Sequence, residues 1–282
     1  MSLDSSTERW LINGVSLSQY GWAVKTFGGS PRSLPLMRGD NIGVAYIPGR
    51  LFRQKFPDQR VITLLMWAAG IVPTTGKPSS NVTLQFSDNF RTLQQLFYNP
   101  STPLNITREW YFTQNGTPTL VSATATGQAA SDMEPTMTGQ GRADFSVDLI
   151  LNDPYFYGSA VTPSIPYNVA TNVTNFGDDA VAYNNFTITL HGPLLYPRLT
   201  NSTNSAWLSL NTLISSGDSI VIDVENYTAV RSSDGADMRS IITHSASRRW
   251  FQINTGVNSL ILTSSLNTDT GTAGLSFQPP YV

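Results

Sequence analysis

The stretch ADFSVDLILNDPYFYG, residues Ala143 to Gly158, ends one half of the chain and opens the other. In its first part apolar residues alternate with mostly polar ones, which is the period-2 pattern of a strand with one buried face. Asn152-Asp153-Pro154 then ends the strand, because proline has no amide hydrogen for a sheet ladder and Asn and Asp favour turns. The aromatic run Tyr155 to Tyr157 predicts a plug at the end of a β core. We therefore expect a domain boundary near residue 155.

Composition limits the classes of function. The chain has 282 residues, enough for two domains of ordinary size. Charged residues make up 13% of it and the net charge is −2, so no basic field is available to hold nucleic acid through its phosphates. A polar surface with few charges can meet copies of itself with little charge desolvation.

Neither a membrane span nor a secretory signal is expected from the sequence. The longest apolar candidate, Val61 to Val72, is too short to cross a bilayer, and no basic N-terminal segment precedes an apolar run. Cysteine is absent, which excludes disulfides and thiolate chemistry and leaves the compartment open.

The first half reads as strands with one helix. Asn13-Gly14 between apolar residues predicts a tight hairpin turn, and Val61 to Met66 predicts a buried strand. A helix is expected from a cap at Ser87 or Asp88, through an apolar stripe from Phe90 to Phe97, to a stop at Asn99-Pro100.

The rest of the first half is predicted to hold two hairpins and a loop. Asn41 to Arg60 holds the notable basic cluster, interleaved with two phenylalanines; with Asp58 among the cations, it favours an exposed hairpin over a stacking platform for single-stranded nucleic acid. Leu104 to Tyr111 and Thr117 to Thr126 predict a second hairpin. Gly127 to Gly141, rich in small residues, predicts an extended loop or arm.

The second half has almost no helical pattern. Short apolar alternations separated by turn residues recur about every ten residues, as a two-sheet sandwich requires. The candidate strands are Phe186 to Leu190, Leu194 to Leu199, Trp207 to Leu210, Ser219 to Val224, Tyr227 to Val230, Trp250 to Ile253, Ser259 to Thr263 and Leu275 to Pro279.

No motif of an enzyme emerges from the chain. His191 and His244 lack a partner that would orient them for acid–base work, and Asp234-Gly235-Ala236-Asp237 lacks the ligand spacing of a calcium loop. Two carboxylate groupings, Asp218 with Asp223 and Glu109 with Asp132 and Glu134, could form a glycosidase couple, but any chain of this length offers such pairs. We therefore expect neither catalysis, nor a cofactor, nor a metal.

The ordered motifs resemble the distal tail (Dit) proteins of long-tailed (siphovirus) bacteriophages. The resemblance covers nearly the whole chain and lies in the order of individually weak matches. These are Trp10 to Leu17, Arg60 to Leu64 with Trp67, Asn152 to Phe156, Asn175-Phe176-Gly177, His191-Gly192-Pro193, Ser216-Gly217-Asp218 to Asp223, Trp250-Phe251, Gly256-Val257-Asn258 and Phe277 to Tyr281.

This resemblance implies a mainly β fold of two β-sandwich-type domains. Residues 1–155 would form a ring-forming domain with one helix and a hairpin, and residues 156–282 a galectin-like domain. The family commonly assembles as a homohexamer, a ring that joins the tail tube to the host-adsorption apparatus and its receptor-binding proteins. DNA would pass through the lumen without being read. The protein would be made in the host cytoplasm and reside in the virion, at the phage tail tip of the baseplate.

Candidate residues follow from these expectations. We expect an interdomain hinge at Asp153, Pro154, Tyr155 and Phe156. Intersubunit contacts are expected at Arg50, Phe52, Arg53, Phe56, Met133 and Met137.

Two alternative functions stay open at this point. In the first, the second domain is a lectin-like module that binds host-surface glycans through the aromatic residues Trp207, Tyr227 and Trp250, although tryptophans are more often buried. In the second, the chain is a secreted glycan hydrolase with a β-sandwich appendage, which the missing signal and motif disfavour.

Overall fold

The chain divides into two compact units in a computed structural model. The first comprises residues 1–156 with Val282, and the second comprises residues 157–281. The structure describes residues 8–25, 29–30, 32–38, 42–43, 50–51, 56–98, 101–114, 117–130, 133–139, 141–181, 186–245, 250–266 and 268–282. Among these residues strands dominate and one α-helix occurs, so the expected mainly β fold is confirmed.

The first unit is built on one large antiparallel sheet. Its order is β2-β1-β9-β10-β12-β8-β3, with β11 paired to β12. The strands up to the boundary are β1 Arg9–Ile12, β2 Val15–Ser16, β3 Trp22–Val24, β4 Met37–Arg38, β5 Ile42–Gly43, β6 Arg50–Leu51, β7 Phe56–Pro57, β8 Arg60–Ala69, β9 Leu104–Gln114, β10 Thr117–Ala129, β11 Thr136–Gly139, β12 Arg142–Leu151 and β13 Phe156–Tyr157.

The alternation in β12 specifies how the large sheet is buried. Phe145, Val147, Leu149 and Leu151 point to the buried face, as the sequence predicts. The neighbouring β8 pairs with β12 along its whole length and buries Ile62, Leu64, Met66 and Ala68 on the same side. These two strands form the centre of the first core.

The tight turn between β1 and β2 confirms the first hairpin. Ile12 pairs with Val15, and Asn13 and Gly14 both have positive φ, 50° and 79°. Two consecutive left-handed residues make a type I′ turn, which matches the twist of the two strands.

The helix α1, Val82–Phe97, begins six residues before the expected start. Its N-cap is Asn81, whose Oδ1 accepts a hydrogen bond from the Leu84 amide at 3.1 Å, so the prediction of Ser87 or Asp88 as the cap is wrong. Phe90 packs edge-on against Phe145 of β12 at 5.2 Å between ring centroids. The helix therefore lies with its apolar stripe on the buried face of the sheet.

A buried amide fastens α1 to the sheet. Asn89 is 2% exposed, and its Nδ2 donates to the Ala69 carbonyl at 2.7 Å and to the Ile71 carbonyl at 2.9 Å. Gln85 in turn donates to Asn89 Oδ1 at 3.0 Å. Asn89 thus satisfies the carbonyls at the point where β8 ends, which would otherwise be buried without partners.

The second unit is a two-sheet sandwich around one core. One sheet has the order β14-β25-β16-β21-β22, the other β15-β24-β18-β19-β23, and β17 pairs with β20. The strands are β14 Ser164–Pro166, β15 Thr171–Asn175, β16 Thr187–His191, β17 Leu194–Leu195, β18 Arg198–Asn201, β19 Ala206–Leu210, β20 Leu213–Ile214, β21 Ser219–Asp223, β22 Thr228–Arg231, β23 Ile242–His244, β24 Gly256–Thr263, β25 Thr272–Ser276 and β26 Pro280–Tyr281; a 3-10 helix covers Arg239–Ile241.

Buried residues from both sheets form a single cluster in the second unit. Phe186 lies at its centre, with ring centroids 6.3 Å from Phe251 and 6.1 Å from Phe277. The predicted strand at Trp250 to Ile253 is wrong, because this segment makes only an isolated bridge between Ile253 and Val181.

Candidate functional site

The segment after β12 packs into the first unit. The carbonyl of Pro154 accepts a hydrogen bond from Arg60 Nη1 at 3.4 Å, and the Arg60 guanidinium lies 5.7 Å from the centroid of Phe156. Phe156 is fully buried and also meets Trp10 edge-on at 5.9 Å. The residues proposed as a hinge, Asp153 to Phe156, therefore end the first unit, and motion about them stays a prediction.

Most of the expected contact hairpin lies outside the described residues. Phe52 and Arg53 are among the residues that are not described. The backbone of Arg50 pairs with Gly43, and the backbone of Phe56 pairs with Arg38. The side chains of Arg50 and Phe56 lie outside the description. The intersubunit role of these four residues stays a prediction.

An exposed apolar segment lies at the base of this hairpin, and sequence reasoning missed it. Leu34, Leu36 and Met37 are 77%, 66% and 56% exposed. The Asp58 amide donates to the Leu36 carbonyl at 2.7 Å, so the segment runs beside the strand that leads into β8. We call Leu34, Leu36 and Met37 the apolar stripe. Three large apolar residues within the short run SLPLM are the pattern that could have indicated it.

The predicted arm lies mostly on the sheet, which corrects the expectation of an extended loop from Gly127 to Gly141. Its first residues, through Ala129, continue β10, and Thr136–Gly139 pairs with β12 as β11. Met133 is half-buried, whereas Met137 is 56% exposed. Met137 therefore offers an apolar side chain at the surface of the first unit.

The three candidate sugar-contact aromatics do not form one platform. The Tyr227 and Trp250 rings pack edge to face at 5.2 Å, and Trp250 also packs against the core of the second unit. Trp207 occupies an outward position of β19, half-buried, with the Arg198 guanidinium 4.3 Å above its ring.

The carboxylates considered for catalysis or calcium make local hydrogen bonds. Asp218 accepts from the Ser219 amide at 2.8 Å and from Ser233 Oγ at 2.9 Å. Partial burial raises the pKa of Asp218, but these bonds and the charge of Arg231 outweigh it, so the pKa is lowered overall. Asp223 accepts from both the backbone and the side chain of Asn226.

Asp237 forms an exposed pair with Arg239, two residues along the chain. The hydrogen bonds and charge of Arg239 lower the pKa of Asp237, and the hydrogen bonds and charge of Asp237 raise the pKa of the Arg239 guanidinium. Among the described residues no three His, Cys, Asp or Glu side chains come together in an arrangement that could hold a metal ion. The helix that the structure describes is not long and apolar enough to cross a membrane.

The histidines are at strand ends. His191 is exposed at the end of β16, and His244 Nδ1 lies 2.7 Å from the Ser245 carbonyl oxygen. Among the described residues, neither histidine has a contact with a carboxylate of the kind that orients a ring for acid–base catalysis.

Comparison with known proteins finds a family model that matches most of the second unit. Residues 179–281 match the family model of the siphovirus-type tail component, C-terminal domain. No curated protein sequence matches the chain significantly.

Among solved structures, the chain is similar to the SPP1 Dit protein, which is described as a paradigm of the hub adsorption apparatus in phages that infect Gram-positive bacteria. The TM-score is 0.60 at 15% identity, and the match covers 97% of this chain and 99% of that one. A baseplate structure of phage P2, in its activated conformation with Ca, matches at a TM-score of 0.38 and 7% identity over 96% of this chain and 98% of that one.

The family model over residues 179–281 and the similarity of fold to SPP1 Dit agree with the resemblance to the distal tail proteins that the sequence indicates.

Proposed function

We propose that this protein forms a ring at the distal end of a phage tail, where it joins the tail tube to the host-adsorption apparatus and lets DNA pass. The observation that carries the proposal is the similarity to SPP1 Dit, which extends over both units and nearly the full length of each chain. The proposed place of the protein is the virion, at the tail tip, after synthesis in the host cytoplasm.

A ring requires two different surfaces on each subunit. In a head-to-tail ring, one patch of a subunit meets a second, complementary patch of its neighbour. The first unit exposes two apolar patches that could serve, the apolar stripe and Met137 on β11. Exposed apolar residues are typical of the centre of protein interfaces.

The charge of the chain fits a lumen that does not read DNA. A net charge of −2 offers no general attraction for phosphates, so DNA would pass without being retained. The proposed partners are the tail-tube protein on one side of the ring and the tail-tip and receptor-binding proteins on the other.

The test is the mass of the purified particle, measured by light scattering and checked by negative-stain images. We expect a ring of about six copies of the 30.8 kDa chain, as the family resemblance implies. A particle that remains a monomer at every concentration would contradict the proposal.

Two variants test which surface closes the ring. Leu36→Glu in the apolar stripe and Met137→Glu on β11 should each reduce the assembly to smaller species, because a charge buried at an interface without a partner is costly. Leu213→Glu is the control, since Leu213 is 53% exposed but lies in the second unit. Rings that persist in both test variants would exclude these two patches.

A second candidate function is glycan binding by the second unit. The half-buried Trp207 on an outward face supports it, whereas Tyr227 and Trp250 pack against each other.

A further inference from the structure

One sheet of the second unit has an outward face whose described strand positions carry a single charge. The outward positions are Asn172 and Thr174 of β15, Val257, Ser259, Ile261 and Thr263 of β24, Arg198 and Thr200 of β18, Trp207 and Ser209 of β19, and Thr243 of β23. Hydroxyl and amide groups dominate these positions, and Arg198 is the charged residue among them.

Arg198 is held in place by the indole beside it. In the sheet, Arg198 is opposite Ser209 and Thr200 is opposite Trp207, so Arg198 and Trp207 are diagonal neighbours. The guanidinium carbon lies 4.3 Å from the ring centroid, well within the range of a cation–π contact. This contact restricts a side chain that would otherwise be free to sample many rotamers.

No carboxylate of the described residues forms an ion pair with Arg198. Other arginines of the chain are paired in this way: Arg9 with Glu109, Arg32 and Arg108 with Glu8, Arg231 with Asp218 and Asp234, and Arg239 with Asp237. Arg198 is exposed, so its fork of N–H donors is available to an external anion.

Two hydroxyl groups beside Arg198 are already oriented. Ser209 Oγ donates to the Pro197 carbonyl at 3.0 Å, and Thr263 Oγ1 donates to the Arg198 carbonyl at 3.3 Å. Because each hydroxyl uses its hydrogen on the backbone, its oxygen keeps a lone pair with which to accept a further hydrogen bond. The surface therefore presents donors from Arg198 and acceptors from Ser209 and Thr263.

We propose that Arg198, Trp207, Ser209 and Thr263 form a binding site for an acidic saccharide. The guanidinium of Arg198 binds the carboxylate of the sugar, the hydroxyl oxygens of Ser209 and Thr263 accept from its hydroxyl groups, and Trp207 supplies apolar contact. Nucleic acid is disfavoured as the ligand, since a chain with a net charge of −2 has little general attraction for a phosphate chain.

The test is saturation-transfer difference NMR on the full chain, with glucuronate and glucose as separate probes and with inorganic phosphate, which has no carbon-bound hydrogen to observe, as a competitor of glucuronate. We expect saturation transfer to glucuronate, titratable to a dissociation constant, and at least tenfold weaker binding of glucose and phosphate. Arg198→Gln should weaken glucuronate binding by at least tenfold. Hydrogen bonds to charged groups contribute about 1.5–3 kcal/mol, and a loss of about 1.4 kcal/mol raises the dissociation constant tenfold.

Two further variants separate binding from folding. Trp207→Phe keeps an aromatic ring at the site and should weaken binding less than Arg198→Gln does. Arg142→Gln is the matched control. The guanidinium carbon of Arg142 also lies over a tryptophan, 5.4 Å from the ring centroid of Trp67, but its strand carries Asp144, which forms an ion pair with Lys25. Arg142→Gln should leave glucuronate binding unchanged.

Three outcomes would overturn the proposal: no glucuronate binding, equal binding of glucose or of phosphate, or full binding by Arg198→Gln. Circular dichroism establishes that each variant is folded. Light scattering on the same samples reports assembly separately, so a failure to form rings is distinguishable from a failure to bind the sugar.

Discussion

At the scale of single residues, buried polar groups fix segments that lack regular structure. Arg60 is completely buried and reaches the Pro154 carbonyl and the Phe156 ring, and so ties the end of the first unit to the start of β8. The preference of aromatic residues for cores predicted the burial of Phe156, whereas the burial of Arg60 was not predicted, because a charged residue at a strand end is ordinarily exposed. Its partners become neighbours only through the pairing of β8 with β12.

Tyr281 gives a prediction about alkaline pH. Burial, followed by the negative charge of Asp178, raises the pKa of its phenol. When the pKa of a tyrosine is higher in the folded state than in the unfolded state, the protonated phenol stabilises the fold. This stabilisation is complete below the pKa of the unfolded state, about 10 for tyrosine, and is lost as the pH rises through the pKa of the folded state. Tyr281→Phe should therefore lose less stability than the wild type between pH 10 and 11.5.

Urea unfolding at several pH values, followed by circular dichroism, measures this difference. The comparison is made relative to each protein's own stability at pH 7, which removes any cost of losing the hydroxyl itself. Parallel pH profiles above pH 10 for the two proteins would refute the role of Tyr281.

At the scale of elements, the start of α1 shows what periodicity misses. The run Asn81-Val82-Thr83 has two β-branched residues, which favour strands, and Leu84 is 58% exposed. The sequence pattern therefore placed the cap at the beginning of the apolar stripe instead of at Asn81. The part of the helix that packs on the sheet was predictable, whereas its first turn depends on the side-chain cap.

The turn before β12 gives a prediction about packing. Gly141 has φ +69°, and a Cβ there would lie 2.2 Å from Val82 Cγ1 of α1. Gly141→Ala should destabilise the first unit through both the left-handed backbone and this overlap. Gly14→Ala is the control, because Gly14 has φ +79° and nothing within 4 Å of an added Cβ.

Overpacking costs about 1–3 kcal/mol, so Gly141→Ala should lower the free energy of unfolding by that much more than Gly14→Ala does. Urea denaturation of the two variants measures the difference. An equal loss of the free energy of unfolding in the two variants would show that α1 shifts away from the added methyl group at no cost in stability.

At the scale of the whole molecule, each unit has its own buried core. We expect two calorimetric transitions. Phe186→Ala should lower the midpoint temperature of only the transition that belongs to the second unit. The substitution removes the ring between Phe251 and Phe277, which should reduce the stability of that unit by about 3–5 kcal/mol. Leu64→Ala in β8 is the matched variant and should lower only the other transition. A single transition that shifts equally in both variants would contradict independent cores.

The alternation of β12 and the many short strands of the second half made the mainly β class predictable. Surface features were harder to predict. The apolar stripe depends on which side of a short segment faces solvent, and the stack of Arg198 on Trp207 depends on the register of β18 against β19. The sequence alone shows neither feature: it does not tell which side of a short segment faces solvent, nor which residues of two different strands become diagonal neighbours.

The distribution of indoles between the units has a practical consequence. Trp10, Trp22, Trp67 and Trp110 lie in the first unit, and Trp207 and Trp250 in the second. Ultraviolet emission from the native chain is therefore a mixture in which the first unit contributes the larger number of fluorophores. Replacing Trp207 and Trp250 by phenylalanine would leave a protein whose tryptophan fluorescence, excited at a wavelength that tyrosine does not absorb, reports on the first unit alone. Unfolding of the first unit could then be followed separately from that of the second.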